Sequence, residues 1–257
     1  MSREHVWANW MREYLPEVRQ SQKLEKHYPE RHRFAREVRH LKTSGDARSR
    51  KLMIVCAPCN NGWMSRLQVL AMPVLQPLLL SNKKTLSLRK QKILAAWATM
   101  FTMVYETVNP EYAATTADQR QAFMNTQVPP KNWIVWCAPF LDRSVPAIHI
   151  GFSTLRNHAW PVVGGSSTDA CKAQITIFGT GHICFCVFGA ASDETFETFA
   201  QFVTMIIGRA RFTQIWPHGK SAVRITDHRT SPLAYSDLKA IRDVIAGSIL
   251  KASRAPD

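Results

Sequence analysis

Positive charge is concentrated in the first 92 residues of this 257-residue chain. Residues 1–92 contain 19 Lys and Arg against 7 Asp and Glu, whereas residues 93–257 contain 14 against 12. Charges of one sign at that density repel one another and oppose compaction, and a polyanion that releases its condensed counterions on binding relieves the repulsion. The segment therefore predicts a nucleic-acid partner. A solvated basic face and a contact with an anionic membrane are the alternatives that charge alone leaves open.

The composition is that of a globular protein, because 46% of the residues are apolar and can bury a substantial core. The sequence has no run of 18 consecutive apolar residues, which argues against a membrane-spanning helix. Ser-Arg-Glu-His follows Met1 in place of an apolar signal stretch, so we expect a cytoplasmic protein. The six cysteines lack the spacing of a disulfide scaffold, which favours thiols in a reducing compartment.

The basic segment has the pattern of two strands and a helix. Residues 34–41 alternate loosely between apolar and polar types, residues 43–46 are typical of a turn, and residues 52–55 form an apolar run. These features predict a β-hairpin between residues 34–41 and residues 52–55. Residues 60–68 then predict the beginning of a helix.

The rest of the chain predicts an α+β protein. Residues 93–108 place Leu94, Trp97 and Phe101 at helical spacing, as in a core helix. β-Rich runs follow and predict an antiparallel sheet, at residues 133–140, 147–152, 173–179 and 183–188. Two amphipathic stretches, residues 196–207 and 236–250, predict closing helices.

Two short pieces of the basic segment carry residue types suited to metal-dependent chemistry. Glu4-His5 pairs a carboxylate with an imidazole, and Cys56-Ala-Pro-Cys59-Asn60-Asn-Gly-Trp-Met follows the predicted strand. With the order strand, strand, helix, these pieces resemble the HNH (His-Asn-His) endonuclease family, which has the ββα-metal fold. The second piece is the more specific one, and the resemblance covers about the first 70 residues.

The resemblance implies roles for three residues. His5 matches the general base, Glu4 matches a carboxylate ligand of one divalent cation, and Asn60 matches the last motif position, where an amide oxygen suits Mg²⁺ or Mn²⁺. The implied reaction is hydrolysis of DNA phosphodiester bonds, leaving 5′-phosphate and 3′-hydroxyl ends. Basic side chains near the motif are expected to hold neighbouring phosphates, namely Arg3, Arg48, Arg50, Lys51 and Arg66.

On this resemblance the chain divides into three parts. Residues 1–80 are predicted to form the ββα-metal nuclease module, and residues 81–92 a basic linker. Residues 93–257 are predicted to form a larger α+β accessory domain with an antiparallel sheet and flanking helices. That domain would position DNA or assemble the protein into an oligomer, and a membrane is not an expected partner.

The segment before the cysteine pair departs from the family pattern. Ser49, Arg50 and Lys51 stand where the family has the Asn that orients the catalytic His. A catalytically weak or inactive nucleic-acid-binding protein is therefore the main alternative to a nuclease. A second alternative is an interaction module of a mobile-element or phage-defence system, whose basic region binds an acidic protein.

Cys56 and Cys59 make a single thiol pair, whereas related modules carry a second pair that completes a structural Zn²⁺ site. Three interpretations stay open: a histidine completes a site, the pair is a remnant, or translation begins upstream. The histidines in question are His27, His32 and His40. A purely structural alternative is that the two cysteines end the strand and cap the helix, with their thiols filling apolar space.

The tryptophans of the basic segment have two interpretations, stacking on bases or forming a small core. We predict the core for Trp7, Trp10 and Trp63, because aromatic burial stabilises a small module most effectively. A core packed on strands is likewise predicted for the tryptophans of the sheet region, Trp133, Trp136 and Trp160. Cys184 and Cys186 share one strand face and are poor metal candidates.

Overall fold

The computed structural model describes residues 2–5, 7–15, 22–24, 41–43, 51–80, 84–108, 113–142, 147–154, 161–162, 172–219, 221–225 and 231–252. Within these residues the strands are β1 (Ser2–His5), β2 (Gln22–Leu24), β3 (Leu41–Thr43), β4 (Lys51–Val55), β5 (Lys84–Leu86), β6 (Trp133–Pro139), β7 (Ala147–Thr154), β8 (Pro161–Val162), β9 (Lys172–Thr180), β10 (Ile183–Ala190), β11 (Thr213–Trp216) and β12 (Val223–Ile225). The helices are α1 (Ala57–Cys59), α2 (Ser65–Leu80), α3 (Leu88–Tyr105), α4 (Ala117–Thr126), α5 (Asp193–Arg209) and α6 (Tyr235–Ala252). None of the helices so described is long and apolar enough to cross a membrane.

The largest sheet has six strands in the order β11-β6-β10-β9-β7-β8, and every neighbouring pair is antiparallel. The predicted antiparallel sheet is therefore confirmed, with each predicted strand at its expected place. Every residue of β10 is buried, and all but the first of β9 are. β10, covered on both faces, is almost entirely apolar, whereas β9 alternates and buries the polar residues Gln174 and Thr176.

Helices cover both faces of this sheet. Phe185 and Val187 of β10 pack in one core with α3, whereas Cys184 and Cys186 of the same strand pack in a second core with α5 and α6. Side chains alternate between the faces of a strand, so neighbouring residues of β10 serve different cores. The described architecture is α+β with the sheet between two helical layers, as the apolar pattern predicted.

The predicted core helix is α3, which begins five residues earlier than expected. Ser87 caps it, because the Ser87 hydroxyl accepts a hydrogen bond from the Lys90 backbone N–H at 3.4 Å. Residues 84–86, just before it, form β5 and pair with β12. Much of the segment predicted as a basic linker, residues 81–92, is therefore strand and helix. Arg89, Lys90 and Lys92 of this segment are exposed on α3, so the charge pattern resembled that of a linker.

The described residues of the predicted N-terminal module and of the predicted accessory domain share one hydrophobic core. Trp7 is only 2% exposed, and its ring centroid lies 5.0 Å from that of Phe101 on α3 and 6.1 Å from that of Phe178 on β9. The buried face of α2, including Leu67 and Leu75, belongs to the same core. This part of the basic segment therefore folds onto the sheet region, which local composition did not indicate.

The strand predicted at residues 52–55 is present as β4, and among the described residues its partner is a strand that the sequence did not predict. β4 pairs antiparallel with β1, while residues 41–43 form β3 and pair with β2. Residues 34–40, the rest of the predicted hairpin, lie outside the described part of the chain. The pairing of β4 with β1 was not predicted, and the pairing of β4 with residues 34–40 stays a prediction, because register and burial decide strand pairing as well as closeness in sequence.

The two closing helices are confirmed as α5 and α6. α5 buries Phe199, Val203 and Ile207 against the sheet. The sequence interpretation missed α4, which begins with a capping box between Thr116 and Gln119. The short strands β5, β11 and β12 were also missed, because three or four residues carry too little periodicity to be distinguished from loops.

Candidate functional site

The pairing of β1 with β4 joins the two parts of the predicted motif. Glu4 pairs with Leu52 and His5 with Lys51, although these partners are more than forty residues apart in the chain. β4 then ends at Val55, and Cys56 follows it directly. The backbone thus places Glu4-His5, the cysteine pair and Asn60 on one strand–strand–helix unit. The side chains of Glu4 and His5 lie outside the described part of the structure.

The register of this pairing sets a geometric condition on a shared metal ion. His5 pairs with Lys51, which lies at the end of β4 opposite to Val55 and the helix. The distance between the two ends of a five-residue strand is roughly 13 Å. For the side chains of His5 and Asn60 to meet at one ion, the helical segment after Cys59 must turn back along the strands.

The transition from strand to helix is fixed by Cys56. Its backbone is extended, with φ −75° and ψ 151°, and its thiol accepts a hydrogen bond from the Cys59 backbone N–H at 3.2 Å. The Cys56 carbonyl accepts a second bond, from the Asn60 N–H, at 3.0 Å. Pro58, which has no N–H to leave unpaired, lies in the first turn. The structural alternative is confirmed in that Cys56 ends the strand region and caps the helix.

Asn60 begins a π-helical turn, residues 60–64, between α1 and α2. The turn contains Gly62, whose φ of −96° and ψ of −110° are not helical, so the helix axis bends there. Asn60 is partly buried, whereas Asn61 is exposed. The kinked turn therefore begins at the residue that the motif assigned to the metal.

The two thiols of the cysteine pair have different environments. Cys56 is exposed, and hydrogen bonds from the Cys59 thiol and from the Cys59 backbone N–H lower the pKa of Cys56. Cys59 is partly buried, and both its hydrogen bond with Cys56 and its burial raise the pKa of the Cys59 thiol. Cys56 is therefore the thiol that ionises first, and it does not fill apolar space as the structural alternative supposed.

The predicted metal ligands are only partly described. Among the described residues there is no cluster of three His, Cys, Asp or Glu that could hold a metal ion. The histidines proposed to complete a zinc site, His27, His32 and His40, lie outside the described residues, as does the side chain of Glu4. The magnesium and zinc sites both stay predictions.

The predicted phosphate-binding residues have different positions. Arg66 is exposed at the beginning of α2, and the backbones of Arg3 and Lys51 lie on the paired strands β1 and β4. Arg48 and Arg50 lie outside the described residues. The first turns of α3 carry three further exposed cations, Arg89, Lys90 and Lys92. The sequence interpretation had assigned these residues to a linker.

The tryptophans near the motif belong to the protein interior. Trp7 is buried, and Trp63 packs edge-on against Phe123 with ring centroids 5.6 Å apart. Trp10 is partly buried and donates a hydrogen bond to the Gln68 side-chain oxygen. The core interpretation is confirmed for Trp7 and for the sheet residues Trp133 and Trp136. Trp160 lies outside the described residues.

Two polar features were not predicted. The Gln68 oxygen accepts hydrogen bonds from the indole N–H of Trp97 at 2.9 Å and from that of Trp10 at 3.4 Å, which ties α2 to α3. A separate cavity of about 620 Å³ is lined by Glu13, Asp142 and His182 among others. Among the described residues its lining contains two carboxylates and no Lys or Arg.

Comparisons with protein-family models, with curated proteins and with solved structures found no match for this chain.

Proposed function

We propose that this protein is a metal-dependent endonuclease that hydrolyses phosphodiester bonds in DNA. The observation that carries the proposal is the antiparallel pairing of β1 with β4, which joins Glu4-His5 to the strand that leads into Cys56 and Asn60. The resemblance to HNH nucleases requires this connection between distant parts of the chain. It also requires a helix directly after the second strand, and α1, the π-turn and α2 supply one.

The charge of the segment supports a nucleic-acid substrate. Residues 1–92 carry 19 Lys and Arg against 7 Asp and Glu. Arg66, Arg89 and Lys90 are exposed there, so their charges are available to phosphates. Contacts of this kind hold the nucleic-acid backbone in register and do not by themselves select a sequence.

In the proposed reaction His5 acts as the general base. A neutral imidazole with a pKa near its ordinary value of about 6.5 takes a proton from the attacking water at neutral pH. The Glu4 carboxylate and the Asn60 amide oxygen are hard donors that would hold one Mg²⁺ or Mn²⁺ ion. That ion would polarise the scissile phosphate and stabilise the charge that develops on the leaving oxygen.

A second candidate function is nucleic-acid binding without catalysis, as in an inactive member of a mobile-element or phage-defence system. It is favoured by the residues before β4, where Ser49 and Arg50 stand in place of the orienting Asn. An imidazole without an orienting partner adopts the productive tautomer less often, which reduces its efficiency as a base. In this function the exposed cations bind phosphates and Glu4-His5 has no chemical role.

A nicking assay with supercoiled plasmid tests the enzyme directly. We expect the full-length protein to nick plasmid in Mg²⁺ or Mn²⁺ and to stop when the metal is chelated. His5→Ala should reduce the rate by about 10²- to 10⁴-fold, the usual contribution of a general base. His218→Ala is the matched control, because His218 is an exposed histidine outside the motif and its loss should leave the rate unchanged.

The role of Asn60 is tested by comparing Asn60→Ala with Asn61→Ala, since Asn61 is exposed on the same turn. A weaker apparent metal affinity for Asn60→Ala alone supports a ligand role. If the protein binds DNA with an affinity that falls steeply with salt but does not nick it in Mg²⁺ or Mn²⁺, the result supports nucleic-acid binding without catalysis and contradicts the proposed nuclease activity. Undiminished nicking by His5→Ala removes His5 from the reaction.

A further inference from the structure

Cys56 and Cys59 have no role in the proposed nuclease reaction, and their geometry suits a reaction of their own. Cys56 and Cys59 are both free thiols, and they lie in the first turn of a helical segment directly after β4. The hydrogen bond from the Cys59 N–H to the Cys56 sulfur holds that sulfur over the turn, 3.2 Å from the nitrogen. The Cys59 thiol also donates a hydrogen bond to the Cys56 sulfur, so the two sulfurs lie close together, and Cys56 is exposed to solvent.

The separation of the two residues suits a disulfide. Residues 57 and 58 between them are helical, and three helical steps place the Cα atoms of Cys56 and Cys59 roughly 5 Å apart. Disulfides form when the Cα atoms lie about 4.4–6.8 Å apart. Closing the bond requires rotation of the side chains, and the backbone can stay in place.

We propose that Cys56 and Cys59 form a redox-active pair that cycles between two thiols and an intramolecular disulfide by exchange with a low-molecular-weight disulfide such as glutathione disulfide. Cys56 is the attacking thiol because it is exposed and its sulfur accepts the Cys59 N–H. Cys59 is the resolving thiol because it is partly buried and adjacent.

The exchange proceeds in two steps. The Cys56 thiolate attacks one sulfur of glutathione disulfide, forms a mixed disulfide and releases one glutathione thiolate, which takes a proton from water. The Cys59 thiol then loses its proton to solvent, and its sulfur attacks the Cys56 sulfur and releases the second glutathione. The protein loses two hydrogens, and one glutathione disulfide is reduced to two glutathione thiols.

The described cysteines of the sheet do not compete for this reaction. Cys137, Cys184 and Cys186 are completely buried, and burial raises the pKa of each of these thiols. A thiol that is neither ionised nor exposed reacts slowly with disulfides and with alkylating agents. The difference between the two groups of cysteines lies in their surroundings, since all of them are free thiols.

The test equilibrates the full-length protein in buffers of increasing glutathione disulfide and maps the modified cysteines by mass spectrometry. We expect a species lacking two hydrogens, with a bond between Cys56 and Cys59 that dithiothreitol reverses. Cys59→Ser should accumulate the mixed disulfide on Cys56, since the resolving thiol is missing. Cys56→Ser should show several-fold slower adduct formation at Cys59. The disulfide is mapped in the wild-type protein, so this result remains informative even if a substituted chain fails to fold.

Two results overturn the proposal. One is a Cys56 that carries glutathione in the wild type without resolving to the intramolecular disulfide in any buffer. The other is one Zn²⁺ ion per chain that remains bound through gel filtration and keeps both thiols reduced in the same buffers, because the pair is then a metal site. Both readouts are masses or metal contents, so they do not depend on nuclease activity.

Discussion

β10 and β4 are both strands of five to eight residues, but their surroundings differ. β10 is buried along its whole length between two helical layers, and its cysteines are unreactive thiols of the core. β4 pairs with one strand, β1, in the described part of the chain and leads into the exposed residues Cys56 and Pro58. The comparison indicates that the six-stranded sheet supplies the stability of the fold, while the β1–β4 unit holds the candidate chemistry. Four predictions test that division.

The largest loss of stability is expected from Trp97→Ala. Trp97 is buried between α3 and the sheet, with its ring centroid 5.8 Å from that of Phe178 and 5.6 Å from that of Phe185. Removing a buried Trp should lower the free energy of unfolding by about 3–5 kcal/mol, measured by urea denaturation. Val244→Ala, at a helix position 52% exposed, is the control and should change it little. If both variants lose the same free energy of unfolding, the packing of α3 on the sheet does not contribute more to stability than an exposed helix position.

The sheet also predicts a pH dependence through His149. Its Nδ1 lies 2.9 Å from the Thr176 hydroxyl, its buried Nε2 has no hydrogen-bond partner among the described residues, and burial lowers the pKa of His149 to about 4. Between about pH 6.5 and 4 the unfolded chain binds a proton that the folded chain does not, so stability falls as pH falls. The loss in that window should be about 3 kcal/mol at most.

The measurement is urea denaturation across that pH range for the wild type and for His149→Gln. Gln keeps a polar side chain at this position but does not titrate, so the variant should lose the part of the slope that belongs to His149. Identical slopes for the two proteins would show that other groups cause any acid sensitivity.

Gln68→Leu tests the link between the N-terminal residues and α3. The substitution removes the acceptor of the Trp97 and Trp10 indole N–H groups and leaves the buried Trp97 donor unpaired. The expected loss is about 1–3 kcal/mol in urea denaturation. Gln68→Glu, which keeps an acceptor oxygen, should lose less than Gln68→Leu. If Gln68→Leu is as stable as the wild type, the hydrogen bonds from Trp97 and Trp10 to Gln68 do not stabilise the contact between the N-terminal residues and α3.

The smallest effect is expected from Cys56→Ser, since Cys56 is exposed and a hydroxyl can also accept the Cys59 N–H. The free energy of unfolding should change by less than about 0.5 kcal/mol. Thermal denaturation under reducing conditions measures it, so that disulfide formation does not contribute. A loss as large as that of Gln68→Leu would show that Cys56 stabilises the fold, and stability would then not reside mainly in the six-stranded sheet.

The sequence predicted the sheet region well because its signals are local. Residues 133–140 and 183–188 are β-rich and bounded by turn residues, and both became strands of the central sheet. α3 and α5 carry apolar residues at helical spacing and were likewise expected. Such periodicity reports which face of an element is buried, whatever covers that face.

The candidate site was harder to predict because it depends on contacts between distant segments. The sequence singled out Glu4-His5 and the residues from Cys56 to Asn60, but it did not predict that the strand at residues 51–55 pairs with residues 2–5. It also separated residues 1–80 from the rest, whereas Trp7 packs against Phe101 and Phe178. No local pattern states which strand will be the neighbour, since several registers satisfy the same alternation.

The sequence by itself determined four strands of the large sheet, β6, β7, β9 and β10, and the concentration of positive charge in residues 1–92. Only the tertiary structure decided that β1 is the partner of β4 and that Cys56 is exposed while Cys184 is buried. The reason is physical: periodicity and charge are properties of a segment, whereas pairing and burial are properties of what packs against it.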